Sequence, residues 1–338
     1  ELIWGCTRSL LDPGFQSSCL PRLEDGGTAV TSATISLPFS TVNAFYTKNG
    51  LPVEQDANYY KDGMYFPVKY SKDNSEFTEH YDFDYNYRYV IENETTAGMN
   101  FDREPRFYAS VGFDRGVWYG NSYSDPAGDQ SESQAAYRYP RNRFGEFSSV
   151  WNSTWYNVTG YWAKKLVALR STFTGSDNVS FYSVPFPDMR YADLLLMAAE
   201  AWNEAEETPN EKVYDYLDQV RERAGLEGIK ETYAKYASVQ YKDYPSHKSQ
   251  MRDIIHRERQ VELSCEGSYY WDTRRWKTAE KELNRIVQGW NVLNGETAED
   301  YYIPTNIYNQ QFTLRDYFAP IPDGDIIRNP QLVQNPWW

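Results

Sequence analysis

The chain has 338 residues, 41% of them hydrophobic, enough for a substantial core in one large domain or more. Its 48 acidic against 34 basic residues give a net charge of −14. With no Lys/Arg-rich block, this excludes nucleic acid and anionic lipid as main partners. No apolar run reaches the roughly 18 residues needed to span a membrane as a helix. Aromatic residues make up 17%, with 30 Tyr and 11 Trp. Such rings suit wet binding surfaces, and they also fill the core of a loop-rich protein. Three cysteines are too few for a disulfide framework. Cys6 and Cys19 lie in one Pro/Gly/Ser-rich stretch and could pair; Cys265 is expected as a buried thiol.

Residues 1–185 are rich in Tyr, Gly, Asn, Asp and Ser, with recurrent turn formers and short strand-like runs such as "FYASV" and "KKLVAL". "DYNYRYVI" alternates like an edge strand, and "NSYSDPAGDQSESQ" (121–134) reads as an exposed loop. We expect this region to face a ligand.

From residue 186 the pattern turns helical. "MRYADLLLMAAEAWNEA" places Tyr191, Leu194, Leu195, Ala198, Trp202 and Ala205 on one side, with Asp188 as N-cap. "NEKVYDYLDQVRERAG" repeats the period through Val213, Tyr216, Leu217, Val220 and Ala224 and stops at Gly225. Residues 227–246 read as an insertion outside the helical packing. A third helix is predicted over 247–266, ending at Gly267, and a fourth over 269–286. The expected fold is mainly α (α+β): two antiparallel helical hairpins of tetratricopeptide-like kind, a large Tyr-rich, loop-rich part, and a Pro/Asn-rich tail, packed as one unit.

In "DIIHRERQVELSCEGSYYWDTRRW" (253–276), Glu258, Glu262 and Glu266 recur every fourth residue and share a helix face. A glycosidase holds two carboxylates roughly 5–10 Å apart on either side of a bond. Two acids on one helix approach from one side only. Arg257, Arg259, Arg274 and Arg275 crowd the same stretch, so ion pairing is the simpler use. We therefore expect a scaffold and no enzyme. His80, His247 and His256 are scattered without zinc spacing, and no nucleotide-binding or Ser-nucleophile motif occurs. No cofactor is expected; Asp82 and Asp84 leave Ca²⁺ as a weak candidate.

In order along the chain, several motifs resemble those of the SusD/RagB family. "VNAFYTKNGLPV" carries Phe45, Asn49 and Gly50; "REPRFYASV" resembles an Asp-Pro-Arg-Phe strand with Glu104 in place of Asp; "TGYWAKK" resembles a Gly-Tyr-x-x-Lys strand. "MRYADLLLMAAEA" and "VRERAGL" resemble the family's helices. The 253–276 stretch resembles its Glu-Arg-x-x-Glu-Leu…Glu-Gly…Asp…Arg-Trp run through Glu258, Arg259, Glu262, Leu263, Glu266, Gly267, Asp272, Arg275 and Trp276. Tyr269 and Thr273 depart from the usual Arg and Leu. "FAPIPDGDIIRNPQLVQNPWW" resembles the family's terminal run. The resemblance covers nearly the whole chain. It implies a lipid-anchored protein on the outer face of the outer membrane, which binds oligosaccharide without cleaving it and passes it to a SusC-like TonB-dependent transporter. The family's acylated Cys and first helical pairs have no counterpart, so the chain is expected to be a fragment or a processed form. A peptide-binding member of the family, or a helical-repeat adaptor binding protein only, are the alternatives.

A sugar site needs aromatic faces beside hydroxyl-binding groups. Two stretches qualify. "DRGVWYGNSYSDPAGD" (114–129) sets Trp118 and Tyr119 between Gly116 and Gly120, beside Arg115, Asn121 and Asp125; "HYDFDYNYRY" (80–89) adds Tyr81 and Tyr85. Adjacent residues of an extended chain point opposite ways, so without a bend one ring of the Trp118–Tyr119 pair is core.

Overall fold

The computed structural model describes residues 2–6, 13–23, 31–118, 138–150, 154–173 and 179–338. Its helical part is built on helix Tyr191–Ala205, which packs against both Glu211–Arg223 and Lys248–Glu262. The buried face of the first helix is Ala192, Leu195, Leu196, Ala199 and Asn203. It is turned from the predicted one, leaving Tyr191 and Leu194 exposed. Contact on two sides shifts the buried arc, which a single period count does not register. Asp188 is not its cap: strand Phe186–Arg190 runs up to the helix and pairs antiparallel with Leu2–Cys6.

Helix Glu211–Arg223 begins where Asn210 accepts bonds from the Lys212 and Val213 amides, and it gives way to Ala224 and Gly225 at φ +79°. The expected insertion is instead part of the packing. Residues Ile229–Tyr236 form a helix whose Ile229 and Tyr233 sit in one core with Leu195, Leu217 and Met251. Ile229, Thr232, Tyr233 and Tyr236 do carry the helical period, but Lys and Glu between them mask it. The predicted fourth helix is two, Ser268–Arg275 and Ala279–Leu283, because Lys277 takes φ +57°. Strand Arg285–Gly289 then pairs antiparallel with Thr305–Gln310.

The larger core draws on both sides of residue 185: Phe45, Tyr70, Phe77, Phe101, Tyr161 and Trp162 join Trp290 and Tyr301. Aromatic residues are its main filler. "REPRF" is not a strand. Pro105 opens helix Pro105–Ser110, a position where its missing N–H costs nothing, and only Val111–Phe113 is extended, paired with Tyr161–Ala163. Within "KKLVAL", Lys164–Leu166 is a 3-10 turn, and the first three residues of "DYNYRYVI" belong to helix Phe83–Asn86. Asp82 caps that helix by accepting from the Tyr85 amide and pairs with Lys48 at 3.0 Å. No group of three or more potential metal ligands occurs among the described residues. Cys19 is a buried free thiol, so it does not bridge to Cys6.

Candidate ligand-binding site

Strand Val111–Phe113 delivers the chain to Asp114–Trp118, and the chain returns at Arg138. The Trp118 amide donates to Arg138 O at 2.8 Å, and the Arg115 amide donates to Pro140 O at 3.0 Å. Trp118 and Arg138 are therefore joined in one stem. Arg115, in left-handed backbone at φ +66°, locks it. Its guanidinium takes Glu146 bidentately (2.6 and 2.7 Å), with Asp114 at 2.7 Å and Glu94 at 3.0 Å. Asp114 is itself buried, accepting from the Asn142 amide at 2.8 Å and the Tyr302 hydroxyl at 2.7 Å. Burial raises the pKa of Asp114, offset in part by Arg115 and Arg143.

Of the described residues expected to touch ligand, Arg115 and Trp118 belong to the body of this stem, and Tyr81 and Tyr85 pack elsewhere. Trp118 is 3% exposed and lies against Gly112, where a Cβ would meet its ring at 2.2 Å. It faces inward. Tyr81 is buried against Phe77 and Phe101. Half-buried Tyr85 donates its hydroxyl to Arg103 O at 2.6 Å. Arg115 is buried and occupied by three carboxylates. Tyr119, Asn121 and Asp125 lie outside the described residues.

The returning limb presents a group that sequence reading missed. The exposed Arg141 guanidinium lies 5.0 Å from the Tyr139 ring and 5.4 Å from the Phe147 ring, and donates to the Tyr139 hydroxyl at 2.7 Å. Phe144 beside it is 43% exposed. Arginine on aromatic rings offers flat apolar faces with donors at their edge. The signal was present in "YPRNRFGEF", where aromatic and Arg residues interleave, but the polar run before it drew attention away.

The glutamates at four-residue spacing make a different structure. Glu258 is fully buried between Arg106 at 2.6 Å and Arg221 at 3.3 Å. Glu262 takes Arg106, Arg190 and Arg223 at 3.1, 2.9 and 2.6 Å, and Glu266 takes Arg190 at 2.9 Å and Lys165 at 2.6 Å. The expected partners Arg257, Arg259, Arg274 and Arg275 are not used; the partners come from distant segments. Every carboxylate is engaged and turned away from solvent, an arrangement that holds elements together and leaves no acid free for a bond between them.

Burial pushes the Glu262 carboxyl up, but Arg106, Arg190 and Arg223 more than reverse it, so its pKa lies below the ordinary 4.5. A depressed carboxylate pKa gives stability that is present above the unfolded value and lost as pH falls through the folded one. The stability gap between wild type and Glu262→Gln is therefore expected to be constant above about pH 5 and to narrow below about pH 4.5. Urea unfolding at a series of pH values checks this; a gap that widens on acidification contradicts it.

A SusD family model matches residues 15–338. The chain belongs to the SusD family. SusD-like proteins P2 and P38 of Formosa agariphila are 31% and 32% identical to it over 153 and 147 residues, 45% and 43% of this chain. The aligned regions are 26% and 23% of those proteins. The solved structure of BT4246 matches 100% of the chain with a TM-score of 0.76 at 25% identity, over 52% of its own length. A SusD-like protein (BF3747) from Bacteroides fragilis NCTC 9343 shares the fold with a TM-score of 0.68 at 18% identity, covering 100% of this chain and 54% of that one. The chain thus spans about half the length of these solved structures.

In this SusD-family chain the motifs that carried the resemblance meet in space. Arg106 of "EPRF", Arg190 of "MRYAD", Arg221 and Arg223 of "VRERAG" and the three glutamates form a single connected ion-pair network. The two departures are absorbed locally. Thr273 is buried, its hydroxyl donating to Tyr269 O at 3.0 Å, and the Tyr269 hydroxyl reaches Glu282 at 3.4 Å.

Proposed function

We propose that this SusD-family protein captures an oligosaccharide at the surface around the 118/138 stem and hands it to a SusC-like TonB-dependent transporter, working from the outer face of the outer membrane on a lipid anchor. Tyr139, Arg141, Phe144 and Phe147 supply the described part of the site, and Tyr119, Asn121 and Asp125 of the intervening segment complete it. The observation that carries this reading is Arg141 set against the Tyr139 and Phe147 rings on a buried, ion-paired base, since a rigid stem lets a weak site bind without ordering costs. The protein binds its ligand and does not hydrolyse it.

Affinity electrophoresis on polysaccharide gels tests the site, with peptide ligands assayed in parallel. Arg141→Ala and Phe147→Ala are each expected to weaken retardation about two- to tenfold, the size of one aromatic or cation–π contact, with unchanged circular dichroism. Folded variants that run like wild type would move the site elsewhere. Binding of peptides alone would replace the glycan reading.

A further inference from the structure

Large aromatic side chains are also exposed far from the stem in sequence, in the segment 312–338. Trp337 is 60% exposed and Phe318 41%. Their ring centroids stand 5.9 Å apart with planes at 42°. This is an open, two-faced arrangement, and the structure beneath it is fixed. Trp338 Nε1 donates to Phe318 O at 2.7 Å and to Arg315 O at 3.2 Å, while the Arg315 guanidinium covers the Trp338 ring at 4.4 Å. Asn335 Nδ2 donates to Ala319 O at 2.6 Å. Gln334 closes a pair of bonds with Ile321, accepting from its amide at 2.8 Å and donating to its carbonyl at 2.9 Å. Asn284 in turn holds the segment to the body of the protein through two bonds with Phe312.

Trp337 itself sits at φ +67°. A bulky side chain avoids this left-handed region, and it persists there only where its surroundings impose it. The bonds made by Asn335 and Trp338 on either side do so. They hold the indole outward, where its apolar face has contact with water. Rings held rigid and outward lose little freedom when a partner stacks on them.

We propose that Phe318 and Trp337 form a second saccharide platform, taking the C–H faces of a neutral pyranose chain, with Arg315, whose guanidinium lies over the adjacent Trp338, for hydroxyls. A polyanionic chain is the poorer fit, because the protein carries a net charge of −14 and this segment adds Asp316, Asp323 and Asp325 against Arg315 and Arg328. The 42° angle suits a chain whose successive rings turn rather than a flat ribbon. Two separate weak sites on one protein bind a long chain more tightly than either alone, through raised effective concentration. The inference rests on the reading of this protein as a glycan binder.

The test uses the whole chain and neutral soluble oligosaccharides, measured by isothermal titration, with Trp337→Ala, Phe318→Ala, Trp337→Phe and the stem variant Phe147→Ala compared. Trp337→Ala and Phe318→Ala are each expected to weaken binding about two- to tenfold, one ring contact, and Trp337→Phe to restore most of it. Because Trp337→Phe keeps a ring on the same backbone, it separates lost stacking from a loosened segment: equal weakening in both Trp337 variants would overturn the platform. Wild-type affinity in Trp337→Ala and Phe318→Ala, with loss in Phe147→Ala, would overturn it and leave the stem site standing. A wild-type protein that binds no neutral glycan would end both.

Discussion

Glu258→Gln is expected to lower the free energy of unfolding by about 3–5 kcal/mol, the range for breaking a buried ion pair from one side. The Glu258 and Arg221 side chains are both fully buried, and Arg106 shares the same carboxylate. The substitution removes the charge between two guanidinium groups. Arg106 keeps Glu104 and Glu262, but among the described residues Arg221 keeps no carboxylate partner, only the backbone oxygens of Gly50 and Glu227, the Thr232 hydroxyl and the Tyr46 ring. A buried cation without a carboxylate is the dominant penalty. The contrasting substitution is Glu204→Gln, whose partner Arg252 lies in an exposed pair at 2.6 Å; an exposed pair contributes at most about 1 kcal/mol. Urea denaturation of the two variants side by side measures the difference. Equal, small losses would refute the scaffold role of Glu258, and a hydrolytic rate that vanished with it would overturn the non-catalytic reading.

Trp118→Ala is the second large effect, and it appears in stability before it appears in binding. Removing a buried Trp costs about 3–5 kcal/mol, from lost burial and the cavity left behind. Here the cavity opens beside Gly112, whose missing side chain makes room for the ring, and next to the stem amide that reaches Arg138 O. A thermal melt of the variant should fall by several degrees, with any loss of glycan retardation following from the loosened stem. A variant as stable as wild type, with retardation abolished, would restore Trp118 as a ligand-facing ring.

Much of the helical half was legible because helices are local. Asn210 before "EKVYDYL" and Gly225 after it mark a start and a stop through bonds made within one turn. The same logic fails where a residue's role is set from far away. Ile229 and Tyr233 look like an interrupted polar stretch until Leu195, Leu217 and Met251 are placed around them. Arg103 is fully buried with four backbone carbonyls, those of Val42, Phe45, Tyr46 and Met99, as its acceptors, and nothing in its neighbours announces that.

Among site residues the division is sharper. The sequence by itself determined the family, the helical class and the scaffold role of the 258/262/266 carboxylates. Each follows from residue order or from spacing along one element. Only the tertiary structure decided that the inward ring is Trp118, that Arg115 locks a stem, and that Arg106, Arg190, Arg221 and Arg223 converge on the glutamates. It also decided that Phe144, Phe318 and Trp337 are among the exposed rings while Trp118 and Tyr81 are buried. Burial and ion pairing are properties of surfaces brought together across separations from about thirty to more than a hundred and fifty residues, and no local pattern in the chain encodes which aromatic side chain is left in water.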